Sequence, residues 1–104
     1  MGVIRQGDVI LTKLELTANE ATKISKVVEP QLRMGGETGH KHILDVPVRQ
    51  SADGRQLVVV EKETVLEHEE HNNLPIEPGV YSVSRVRDYG EMLGKYEHNS
   101  LGFD

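Results

Sequence analysis

Five histidines stand in a chain of 104 residues that has one Phe, three Tyr and neither Cys nor Trp. Four of them fall in two tight pairs, His40 and His42 as H-x-H, and His68 and His71 as H-E-E-H. Neutral imidazole nitrogens bind Zn, Fe, Ni or Mn well near neutral pH. Without cysteine there is no disulfide, thiolate zinc site, iron–sulfur cluster or cysteine nucleophile. A transition-metal site in this chain must therefore be built from imidazole and carboxylate. On a strand, residues i and i+2 share a face, so His40 and His42 lie close enough for one ion while Lys41 points away. The H-E-E-H spacing suits a strand that ends near Glu69 and turns over residues 70–73, or a helical turn. It is not the zinc-protease H-E-x-x-H, which needs histidines four apart on a helix.

The expectation is that the two pairs meet and hold one divalent transition metal through His40, His42, His68 and His71. Glu37, Glu67, Glu69, Glu70 and Asp45 are the nearby carboxylates that could ligate, orient an imidazole or serve as a base. Glu69 and Glu70 are the candidate catalytic residues, activating a metal-bound water for hydrolysis, with oxygen chemistry as the iron counterpart. Whether the protein is an enzyme stays open, and metal binding without turnover ranks ahead because no substrate-specific feature is legible. The alternative, from a different class, is a metal-free binding or assembly module acting through its β surface. Its histidines would be hydrogen-bonding or pH-responsive surface groups, and its edge would pair with a partner or with itself.

The elements that must position these residues read as strands. Valine is the commonest residue, with 13 copies, and β-branched side chains favour a pleated surface. Residues 8–16 (DVILTKLEL) follow a Gly7-Asp8 turn signal and change apolar phase near Thr12, which predicts a bulge or break there. Thr17 with Glu20 three residues on has capping-box spacing and predicts one helical turn. Residues 23–29 form a short strand closed by Pro30. Residues 34–39 (MGGETG) form a glycine-rich loop that runs into a strand over 40–48. It lacks the Lys-Ser/Thr of a P-loop. Asp53-Gly54 marks a hairpin into residues 56–62, followed by strands over 64–70 and 80–89 and a two-proline loop between them. Together these predict an all-β fold, a small single-domain antiparallel barrel or sandwich of five to seven short strands over residues 1–104. Residues 90–104 form a weakly structured tail, and His98 within it is expected to be exposed.

Val, Ile, Leu and Phe number 29 of 104, above the roughly one-fifth share below which disorder is expected. The formal charge of −5 opposes non-specific nucleic-acid binding, which depends on neutralising phosphates. No stretch nears the roughly 18 apolar residues of a membrane span, and the start lacks the pattern of a signal peptide. The expected setting is the cytoplasm. A small-molecule or anionic ligand and self-association are the partners left open. Arg85 and Arg87 are the cations for an anion, and a solvated strand end is their plainer role.

Two likenesses bear on the histidines. Cupins also place H-x-H ahead of a later histidine on a small β-barrel, and His40, His42 and His68 follow that order. However, Asp45 stands where cupins carry Glu, and Pro78-Gly79 follows the later histidine instead of preceding it. More broadly, Arg5-Gln6-Gly7-Asp8-Val9, the GETGHKH run at 36–42, the LEHEEH run at 66–71 and Pro78-Gly79-Val80-Tyr81 resemble a group of small hypothetical proteins of bacteria and phages. That resemblance implies single-domain size and a shared histidine signature, and no particular reaction.

Overall fold

The computed structural model describes residues 2–35, 41–69 and 73–86. Ten strands and one helix follow in order: β1 (Val3–Gln6), β2 (Val9–Leu14), α1 (Ala18–Lys23), β3 (Ser25–Glu29), β4 (Leu32–Gly35), β5 (Lys41–Leu44), β6 (Val48–Ser51), β7 (Gln56–Val60), β8 (Thr64–His68), β9 (Leu74–Ile76) and β10 (Gly79–Arg85). They form two antiparallel sheets. One has six strands in the order β1-β2-β10-β7-β6-β3, and the other has four in the order β4-β5-β8-β9. Leu11, Val58 and Tyr81 from the first sheet meet Leu32, Leu44, Leu66 and Ile76 from the second in a common core. The expected all-β antiparallel fold is thus present, and of the barrel and the sandwich it takes the two-sheet form. Among the described residues no helix is long and apolar enough to cross a membrane.

The local chemistry explains most boundaries. Thr17 caps α1 as its spacing predicts. Its hydroxyl accepts from the Glu20 amide at 3.1 Å, and the Glu20 carboxylate accepts from the Thr17 amide at 2.9 Å. Gly54, at φ 90°, closes the β6–β7 hairpin at Asp53-Gly54, and its amide donates to the Ser51 carbonyl at 2.9 Å. The Gly7-Asp8 turn joins β1 to β2, with Gly7 at φ 60°, a conformation that costs side-chain-bearing residues energy.

Three expectations need correction. The apolar phase change at Thr12 is not a bulge, because β2 pairs with β10 in one unbroken register from Val9 to Leu14. Instead Val9, Ile10 and Leu11 are all buried, so both faces of the strand are covered at that end. The run over 40–48 is not one strand. It breaks at Asp45-Val46-Pro47, where the Val46 amide donates back to the Leu44 carbonyl at 2.8 Å and Pro47 has no amide to donate. The chain changes sheets there, from β5 to β6. Finally, the stretch up to Gln6, residues 32–35 and the two-proline loop contain strands β1, β4 and β9, so Met34 and Gly35 pair with β5 instead of opening the glycine-rich loop, and the count rises above five to seven.

Candidate metal centre

Two strands position the histidines. β5 pairs with β8 so that His42 lies directly opposite His68, and Leu44 directly opposite Leu66. Directly opposed residues share a sheet face. Leu44 and Leu66 are fully buried, so the two histidines extend the same inward face by one further row. Their rings lie 4.2 Å apart between centroids, tilted by 42°. Met34 of β4 stands opposite His42 on its other side, completing a row across three strands. Lys41 is exposed, in keeping with its place next to the inward-facing His42.

His42 is only 1 % exposed, and the facing sheet meets it with two side chains from the β1–β2 hairpin. Gln6 ends β1, is buried, and places its Oε1 2.9 Å from His42 Nδ1. Its Nε2 donates to the Leu66 carbonyl at 3.0 Å, so one amide ties the hairpin to both histidine-bearing strands. Asp8 follows Gly7 in the turn, and its Oδ1 lies 3.6 Å from His42 Nε2. Burial of an imidazole and an amide away from water is sustained by these contacts, since an unmade buried hydrogen bond costs about 1–3 kcal/mol. His68 is half-buried, and the Asn73 side-chain oxygen accepts from its backbone amide at 3.5 Å.

One member of each histidine pair is therefore brought to the other. His40, His71, Glu37, Glu70 and His98 lie outside the described residues, as does the tail over 90–104. Glu67 stands opposite Ile43 on the other face of the sheet and is exposed, as is Glu69 just past β8. Asp45 is at the far end of β5 and accepts from Gln31 Nε2 at 3.2 Å, away from the histidines. Among the described residues no three His, Cys, Asp or Glu side chains converge as a ready-made ion site.

Gln6 and Asp8 were not singled out as site residues from the sequence. A signal was present: Gly-Asp between two apolar runs marks a two-residue hairpin turn. A hairpin there places Gln6 two residues from Ile4 on one face, and Ile4 packs on the core. A buried glutamine at that position needs partners, and the histidines supply them.

The geometry suits cation binding in one specific respect. A separation of 3.6 Å is too long for a hydrogen bond between Asp8 and His42. Two ligands on one tetrahedral ion, with bonds of roughly 2.0–2.2 Å, stand about 3.4 Å apart.

The profile of a domain of unknown function, DUF8820, matches residues 5–86, a span that includes both hairpin residues and both paired histidines. No curated protein and no solved structure matches the chain.

Proposed function

From the premise that the chain belongs to the DUF8820 family, whose description assigns no activity, we propose that it is a small metal-binding β domain. The ion is a divalent transition metal, Zn, Fe, Ni or Mn. His42 and His68 are its central ligands, and His40 and His71 from the adjoining stretches complete the imidazole set. Asp8 adds the carboxylate. The observation that carries this is the His42 Nε2–Asp8 Oδ1 separation of 3.6 Å, a spacing suited to two ligands of one ion and not to a direct hydrogen bond. Gln6 on Nδ1 matches the usual orienting contact of a ligating histidine, whose second nitrogen donates to a carbonyl or carboxylate.

Binding, not turnover, is the proposed role, in a cytoplasmic protein of bacterial or phage type. Glu69, exposed beyond β8, and Glu70 remain the carboxylates for a metal-bound water if hydrolysis or oxygen chemistry is found. A second class has one observation in its favour. The edge strand β3 leaves Val27 and Val28 about half exposed, as is Ile24 just before it, which suits a metal-free assembly module.

Elemental analysis of untagged protein separates the two. Close to one equivalent of a transition metal per chain, or a clear thermal shift with Zn, Ni, Mn or Fe(II), is expected. Less than about a tenth of an equivalent and no shift with any of the four would refute the metal site. His42→Ala should abolish binding and His98→Ala should not.

A further inference from the structure

We propose that Gln6 is a positioning residue that holds the His42 ring in the tautomer protonated at Nδ1. Nε2, the atom beside Asp8, is then the nitrogen that accepts a metal ion. The functional half rests on the metal-site proposal above, while the tautomer itself does not.

The argument starts from the glutamine, whose amide has one end that only donates and one that only accepts. The Leu66 carbonyl, 3.0 Å from Gln6 Nε2, can only accept. Turning the amide over would set two oxygens at that distance, so the hydrogen-bond network fixes its orientation. Oε1 is therefore the end that faces His42 Nδ1 at 2.9 Å. An oxygen acceptor at that distance requires a proton on Nδ1. A neutral imidazole protonated there carries its lone pair on Nε2, which is 3.6 Å from Asp8 Oδ1.

The relay is anchored in the fold. Leu66 precedes His68 by two residues on β8, and its carbonyl sets Gln6, which in turn sets His42 on β5. Gln6 is 3 % exposed, so bulk water does not compete for its amide. A glutamine serving only to staple two sheets needs hydrogen bonds but is indifferent to which ring nitrogen holds the proton. A positioning residue is not.

Nitrogen-15 NMR of the imidazoles in the metal-free full chain reads the tautomer directly. The expected result is a His42 ring protonated at Nδ1 and bare at Nε2. Gln6→Leu should lose that preference and weaken zinc binding by about 10–100-fold. Gln6→Glu keeps an oxygen toward Nδ1 but sets its other oxygen against the Leu66 carbonyl, so it should retain the tautomer while losing stability. A wild-type neutral His42 protonated at Nε2 would overturn the proposal, as would Gln6→Leu with unchanged tautomer and affinity. If either variant fails to fold, the wild-type spectrum still decides. A wild type with the stated tautomer that binds no zinc refutes the metal site and leaves the tautomer standing.

Discussion

Replacing His42 by leucine separates its structural role from its proposed ligand role. Its neighbours on the inward face, Leu44 and Leu66, are apolar and fully buried, so leucine fits their chemistry and leaves no large cavity. Two opposing effects set the metal-free cost. The contact between Gln6 Oε1 and His42 Nδ1 is lost in a buried site, about 1–3 kcal/mol unfavourable. Burying a leucine side chain contributes about 1.5–3 kcal/mol in the other direction. The balance lies near zero, and His42→Leu without metal should stay within roughly 1.5 kcal/mol of wild type. With zinc at a hundred times its dissociation constant, wild type gains about 2.7 kcal/mol. At about 4–8 °C per kcal/mol for a domain near this size, its Tm should rise by roughly 11–22 °C. His42→Leu should show almost none of that rise. Thermal unfolding followed by circular dichroism, with zinc and then with chelator, measures both quantities. Retention of half the wild-type shift by the variant would refute the ligand role. A metal-free loss above about 3 kcal/mol would show instead that the imidazole is chiefly a structural part of the core.

Further predictions test the parts that hold the site. Thr17→Ala removes one arm of the capping box and should cost about 0.5–2 kcal/mol by urea unfolding, with zinc affinity unchanged. Gly7→Ala places a side chain at φ 60° and should cost about 1–2 kcal/mol. Because Asp8 is the next residue, this variant should also weaken zinc binding, and Thr17→Ala is its control for stability loss alone. Tyr81 is raised above the ordinary phenol value by burial first and by the Glu77 charge second. A raised folded value contributes stability that is intact below the unfolded value of about 10 and is lost as pH rises through the folded one. Stability should therefore fall in strong alkali. Tyr81→Phe should remove the part due to this group and cost about 0.5–1.5 kcal/mol at neutral pH through the lost bond to the Glu77 carbonyl.

Period-two patterning with glycine and proline punctuation was enough to mark an all-β domain, and the Thr17–Glu20 spacing was enough to mark a capped helix. What escaped was pairing. The run through Leu44 to Val48 looks continuous because both sheets bury it, and only Pro47 hints that the chain crosses between them. The approach of residues 40–48 to residues 64–70 was expected from the shared histidine content, and β5 does pair with β8. The facing side of the site was not legible as such. Gln6 and Asp8 are ordinary residues in a short hairpin, and their meaning depends on which sheet lies opposite. That is a tertiary fact with no local signature. Asp45 shows the converse. It is close to His42 in sequence, yet the strand carries it to the far end, where Gln31 takes its carboxylate.

The placement of Gln6 on β1 has a kinetic consequence. Among the described residues β1 is an edge strand of four residues, hydrogen-bonded along one side, to β2. Strands of this kind fray at a lower free-energy cost than the core does. Peeling β1 back would withdraw Gln6 and loosen the turn that carries Asp8 while Leu44 and Leu66 stay packed. Exchange of an ion would then run through a local opening of the β1–β2 hairpin, without global unfolding. The backbone amides of β1 would report it, because their hydrogen exchange should slow as the site fills while that of β7 does not.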